Sequence, residues 1–255
     1  MNDIITRTMT QETIDRDDGG VLAYYTRPGV EPPLLLIPGS FADRTTWDRM
    51  LEHFDPYRRV VIIEMRGHGN SWPPSEHSSI EGLAQDVLRV VDSMRLTKWY
   101  VAGHSIGGMA AIELARLRPA SITGAIAIEG WTRHDVLHEA FGGDLANTLS
   151  EQQLDERASD RSEVVARWGE TAMMEFAQIW RDWDGLETLE RTRTPILELW
   201  GDRGRQHPTL EAMRIPDREN IEIRWIENAS HSLLTERPDE VASAMNDFIA
   251  RTKPK

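Results

Sequence analysis

Trp99-Tyr100-Val101-Ala102-Gly103-His104-Ser105-Ile106-Gly107-Gly108 is the stretch whose reading decides the fold. A short apolar strand, Trp99 to Ala102, runs into a Gly-x-Ser-x-Gly turn, and a helical pattern follows over 109–117. The glycines let the backbone bend sharply where a side chain would clash. Such a bend lifts the Ser105 oxygen clear of a sheet and sets it over a helix N-terminus. There, unpaired N–H groups and the helix dipole favour developing negative charge. Strand, Gly-x-Ser-x-Gly and helix in this order make a nucleophile elbow. A Gly- and Ser-rich turn without chemistry is the competing reading of the motif by itself.

Outward from the elbow, strands and helices alternate. Residues 9–16 and 21–26 read as a hairpin around Asp17-Asp18-Gly19-Gly20. Leu34-Leu35-Leu36-Ile37 and Val60-Val61-Ile62-Ile63 are continuous apolar runs, the pattern of strands buried on both faces. Further strands are predicted over 122–128, 195–200 and 221–226. Helices are predicted over 42–53, 80–94 and 238–250; in the second, Leu83, Val87, Val90, Val91 and Met94 recur at helical spacing. This alternation implies an α/β protein with a mostly parallel sheet and helices on both faces. It breaks once. Residues 131–194 carry helical patches (147–157, 162–168, 171–183) and little strand signal. They are expected to form a small helical cap, with 1–130 and 195–255 making the core domain.

The chain has 255 residues, enough for one α/β domain with an insertion. Its 42 acidic against 29 basic residues give −13, which argues against nucleic acid or an anionic membrane as partner. There is no cysteine, hence no disulfide framework and no thiolate nucleophile. That suits a cytoplasmic protein. Met1-Asn2-Asp3-Ile4-Ile5 does not read as a signal peptide, and no run reaches membrane-spanning length. The expected partner is a small-molecule substrate, and the chain is expected to be a monomer or homodimer. His134, His138 and His207 lack the paired spacing of a metal site, so neither a metal nor a cofactor is expected.

His231, in Asn228-Ala229-Ser230-His231-Ser232, follows the last predicted strand. Loops at the carboxyl ends of strands are where α/β sheets place their ligand sites. A lone loop histidine is ordinarily a solvated surface group. Here Ser105 ends a neighbouring strand and needs a base, so His231 is the candidate.

Leu34 to Gly39, Arg66-Gly67-His68-Gly69-Asn70-Ser71, Gly103 to Gly108, Gly201-Asp202 and Ala229-Ser230-His231 form a specific set in order and spacing. Through them the chain resembles the α/β-hydrolase fold superfamily over essentially its whole length. The resemblance implies an eight-stranded sheet and a Ser–acid–His triad. It also implies an oxyanion hole built from the backbone N–H groups of Ser40 and Ile106, with Phe41 the alternative to Ser40. Arg66 and His68 belong to a structural turn in the resembling family.

The chain departs from the family pattern at two places. Pro38-Gly39 stands where His-Gly is usual, and the loop can still turn. The usual acid, three residues after the glycine ending the seventh strand, is replaced by Gly204. Asp202 sits two residues early, where bracing the loop is the commoner role. The better candidate is Glu129, which closes the sixth strand and would be costly to bury without a partner. Acids at this place occur in the branch that includes lactonases and the cofactor-independent quinolone dioxygenases.

Trp131, Trp168, Trp180 and Trp183 fall in the expected cap. Trp131, close after Glu129, is expected to face the substrate pocket with Phe41. Trp168, Met173, Met174 and Phe176 read as packing within the cap. Three functions compete. The first is a serine hydrolase cleaving a carboxylic ester or lactone. The second is a cofactor-independent dioxygenase of a quinolone-like ring; Pro38-Gly39 and the sixth-strand acid resemble that group, while Ile106-Gly107-Gly108 is the ordinary hydrolase pattern. The third is a non-catalytic ligand-binding member of the fold.

Overall fold

A computed structural model describes residues 9–74, 78–143 and 150–253. The strands are β1 (Thr10–Asp15), β2 (Val21–Arg27), β3 (Val30–Ile37), β4 (Arg58–Ile63), β5 (Trp99–His104), β6 (Ile122–Ile128), β7 (Ile196–Gly201) and β8 (Ile221–Ile226). They form one eight-stranded sheet in the order β1-β2-β4-β3-β5-β6-β7-β8. β1, β2 and β4 pair antiparallel, and every pairing from β4 through β3 to β8 is parallel. The fold is therefore α/β and mostly parallel, as the alternation of elements predicts.

The apolar runs explain why the central strands sit where they do. Leu35, Ile37, Val61 and Ile63 face one core, and Leu34, Leu36, Val60 and Ile62 face the other. All eight are buried. Each contributes about 1.5–3 kcal/mol of apolar burial, so no register slip that exposed one face would be tolerated. Helices α2 (Ile80–Ser93) and α3 (Ile106–Leu117) cover the first face, and α1 (Asp48–Leu51), α8 (Leu233–Glu236) and α9 (Pro238–Arg251) the second. Ser79 caps α2, its side chain accepting the Gly82 N–H at 2.9 Å. Pro238 opens α9, where its missing N–H costs nothing.

Between β6 and β7 lie α4 (Val136–Glu139), α5 (Glu151–Trp168), α6 (Glu170–Ile179) and α7 (Leu186–Arg191). The patches expected at 147–157 and 162–168 belong to one helix, since nothing between them breaks it. Residues 147–149 lie outside the described residues. A capping box between Ser150 and Gln153 starts α5, and Gly169, at φ +73°, ends it. α4 and α7 are too short to show a periodicity. Met174 corrects the expected packing: it is 62% exposed, whereas Phe176 is buried. The helix expected over 42–53 is also shorter. Phe41 takes φ +58°, a conformation no helix continues, and the Asp43 side chain accepts the Thr45 N–H to start a 3-10 turn at Arg44–Trp47. α1 follows that turn. Among the described residues no helix is long and apolar enough to cross a membrane.

One buried carboxyl gives no sign of itself in the sequence. Glu198 lies inside β7, fully buried, with Oε2 accepting the Trp200 indole N–H at 3.2 Å. Burial pushes its carboxyl up to about 8, against a lowering by that single hydrogen bond. A carboxyl raised on folding stabilises the fold fully below its unfolded value, and that contribution is lost as pH rises through the folded value. Glu198→Gln should therefore match the wild type in urea unfolding near pH 4 and exceed it at pH 8. A variant less stable than wild type at pH 8 would contradict this account of the side chain.

Candidate active site

The parallel strands end on one edge of the sheet, and the chemistry-bearing residues gather there. Ser105 sits between β5 and α3 at φ +56° and ψ −121°. A non-glycine residue in that region is strained by about 1–3 kcal/mol and must be held. The Ser105 N–H donates to Ile128 O at 2.8 Å, and Ser105 O accepts the N–H groups of Gly108 and Met109 at 2.8 and 3.2 Å. A Cβ on Gly103 would lie 1.9 Å from Gly107 O, and one on Gly107 2.3 Å from Ile37 O. The elbow glycines are thus demanded by backbone packing.

Glu129 follows β6 at φ +52° and is completely buried. Its Oε2 lies 3.1 Å from His231 Nδ1. Oε1 accepts the Gly201 N–H at 2.9 Å and Arg203 Nη1 at 3.0 Å, and Oε2 also accepts Arg203 Nη2 at 2.7 Å. Because a carboxylate can only accept, the contact with His231 places the ring proton on Nδ1 and leaves Nε2 as the basic nitrogen. Burial pushes the Glu129 carboxyl up. The hydrogen bond from His231 and the charge and hydrogen bonds of Arg203 outweigh it, holding the group below its ordinary value.

Arg203 is the residue that sequence reasoning does not single out. Its buried guanidinium grips Glu129 in a bidentate pair and lies 3.9 Å from the centroid of the Phe141 ring. A signal exists: the loop that loses the usual acid carries an arginine, and a buried Glu129 needs a countercharge. Asp202 does something else. Its Oδ1 accepts the N–H groups of Gly204 at 2.7 Å and Asn228 at 2.6 Å, tying the β7 loop to the loop after β8.

The His231 loop is fixed from two sides. Glu236 Oε2 accepts the Ser230 N–H and hydroxyl at 2.7 and 2.9 Å. His104 reaches across the site, its Nε2–H donating to His231 O at 2.8 Å. Trp131 stacks on the His231 ring at 5.3 Å and meets Trp180 edge-on at 5.5 Å.

Ser105 and His231 border one cavity of about 600 Å³, which Ser40, Phe41, Ile106, Met109, Trp131 and Trp180 also line. No Ser105–His231 hydrogen bond is among the described contacts. The Phe41 N–H donates to His68 Nε2 at 2.8 Å. No protein acceptor for the Ser40 or Ile106 N–H is among the described contacts. Of the other tryptophans, Trp168 packs on Phe41 and Phe176, and the Trp183 indole donates to Glu113 at 3.4 Å, away from this cavity. Arg66 pairs with Asp86 through two bonds of 2.6 Å and stays outside the cavity wall. Among the described residues no cluster of three or more histidine, aspartate or glutamate side chains could hold a metal ion.

A model of the alpha/beta hydrolase family matches residues 34–244, and the chain belongs to that family. It is 26% identical over 242 residues to an Azorhizobium caulinodans protein named for carbamate hydrolysis, covering 85% of this chain and 90% of that one. A Haemophilus influenzae protein named as an esterase or lipase is 26% identical over 244 residues, covering 86% of this chain and 83% of its own length. Among solved structures, an N-acyl homoserine lactonase complexed with N-hexanoyl homoserine superposes with TM-score 0.78 at 20% identity, over 97% of this chain and 98% of that one. An esterase from Thermogutta terrifontis superposes with TM-score 0.76 at 22% identity, over 97% and 100%. At these identities the structural likeness speaks to the fold alone.

Removing one partner of a buried ion pair costs about 3–5 kcal/mol, so Arg203→Met should lose roughly that much in urea unfolding at pH 7. The pH dependence gives a second check. A carboxyl lowered on folding stabilises the fold above its unfolded value, and that contribution is lost as pH falls through the folded one. Without Arg203 the acid arm of the stability profile should flatten. Wild-type stability and an unchanged acid arm would contradict the pair's importance.

Proposed function

We propose that the chain is a serine hydrolase that cleaves carboxylic esters or lactones through an acyl-enzyme. The observation that carries this reading is the fixed His231–Glu129–Arg203 chain beside a serine held on a strained elbow. Ser105 is the nucleophile, His231 the general base and Glu129 the acid that orients it. Glu129 fixes the His231 tautomer and stabilises the imidazolium that forms when Nε2 takes the Ser105 proton. The hydroxyl attacks the substrate carbonyl. The Ser40 and Ile106 N–H groups receive the oxyanion, each such donor being worth about 3–4 kcal/mol. His231 then protonates the leaving alcohol and activates the water that releases the acid.

Phe41, Trp131 and Trp180 form the apolar wall against which the substrate rests, and the helices between β6 and β7 act as a cap that closes over it. Trp131 stacked on His231 restricts how the ring can turn and excludes water on that side. The occupant is a small molecule. The relatives named as a carbamate hydrolase and as an esterase or lipase are both named for hydrolysis at an acyl carbon. That common step supports the acyl-transfer reading over the dioxygenase one.

Turnover of p-nitrophenyl acetate and butyrate, abolished when a fluorophosphonate labels Ser105, is the expected result. Glu129→Gln should lower kcat by about 10³- to 10⁴-fold, and Asp202→Asn should leave it near the wild-type level. Ester inertness combined with oxygen uptake on a hydroxyquinolone would move the assignment to the dioxygenase. An unlabelled serine and no turnover of either kind would leave a binding protein.

A further inference from the structure

We infer that His68 is a positioning residue for the oxyanion site, and that the cap helices α5 and α6 set its position. The inference rests on the acyl-transfer reading and adds a residue outside the triad to it.

Phe41 is bulky and held at φ +58°, a conformation that costs about 1–2 kcal/mol and so needs a restraint. His68 supplies it. Its Nε2 accepts the Phe41 N–H at 2.8 Å, and its Nδ1 lies 3.0 Å from Arg66 O. A carbonyl can only accept and an N–H can only donate, so the ring is neutral with its proton on Nδ1. Both nitrogens are committed, and the ring has one working orientation.

The ring is fully buried, and the cap holds it there. Trp168, the last residue of α5, meets it edge-on at 5.4 Å, and Phe176 of α6 lies 5.2 Å away. The Trp168 indole N–H also donates to Gly67 O at 2.5 Å, pinning the turn that carries His68. A Cβ on Gly67 would come within 2.2 Å of that indole, so the turn and the cap are fitted to each other.

The consequence falls on Ser40. With the Phe41 N–H committed to His68, Ser40, which lines the cavity and has no protein acceptor for its N–H among the described contacts, is the donor this loop offers. Gly39, just before it, is seated against His104; a Cβ there would lie 2.9 Å from His104 Nδ1. Cap, His68, Phe41 and Ser40 thus form one connected line. Moving the cap away would release Phe41 from its strained conformation and turn the Ser40 donor out of line.

The test compares an ester with its thionoester, whose sulfur is a larger and weaker hydrogen-bond acceptor. A well-aimed oxyanion site favours the ester strongly. His68→Leu keeps volume and loses the acceptor; kcat on the ester should fall about 10- to 100-fold with KM little changed, while thionoester turnover falls much less. His68→Gln, whose side-chain oxygen can accept the Phe41 N–H, should recover most of the ester preference. If His68→Leu does not fold, Trp168→Phe carries the test. It loses the bond to Gly67 O together with the part of the indole seated against Gly67, and should lower the ester-to-thionoester ratio several-fold. Equal falls on both substrates, or a His68→Gln no better than His68→Leu, would overturn the inference and leave the acyl-transfer reading standing. A wild-type enzyme that neither turns over esters nor reacts with a fluorophosphonate would remove both.

Discussion

The buried pair between Glu129 and Arg203 is the interaction on which the site depends. An isolated carboxylate at the end of an apolar strand would lose its charge rather than its solvation. Arg203 keeps it ionised by supplying two N–H donors and a whole positive charge. The Gly201 N–H takes another lone pair of the same carboxylate. What is left over is one direction on Oε2, and His231 occupies it. The imidazole is oriented because every alternative direction is already used.

The same pair connects parts of the chain that are far apart in sequence. Glu129 closes β6, Arg203 follows β7, and His231 follows β8, with separations of 74 and 102 residues from Glu129. Their meeting depends on β6, β7 and β8 being neighbours that end together. On the other side of β6, β5 delivers Ser105 to the same edge. The sheet order therefore does the assembling, and the loops need only short reaches. Strain is concentrated here too: Phe41, Ser105, Glu129 and Arg203 all take positive φ. Each is held by bonds that come from a different element, which is how such conformations persist.

Much of this arrangement is legible in the amino-acid sequence. Leu34 to Ile37 and Val60 to Ile63 read as strands buried on both faces, and the elbow glycines mark where the serine stands. Glu129 is legible as a carboxyl too expensive to leave unpartnered, and Asp202 as a loop brace. Arg203 escapes such a reading because a lone arginine beside a glycine looks like an ordinary surface residue. Its burial against Glu129 is what distinguishes it, and the one hint in the letters is that it stands in the loop that lacks the usual acid. His68 reads as part of a structural turn; its bond to Phe41 spans 27 residues and leaves no periodic trace. Glu198 sits in a run of apolar letters, and whether such a residue faces a helix or solvent depends on packing the letters do not record. Two expected helical patches between β6 and β7 are one helix, α5, and α4 and α7 escape the reading because such short elements give no repeat to count.

The proton between His231 and its carboxylate reports most directly on the wiring. A proton held on Nδ1 against a carboxylate is strongly deshielded and appears in the far-downfield region of a proton NMR spectrum in water. The resonance should be present in the wild-type protein, persist when Asp202 is replaced by asparagine, and vanish when Glu129 is replaced by glutamine. A resonance that survives the loss of Glu129, or disappears with Asp202, would mean that another carboxylate steers the imidazole.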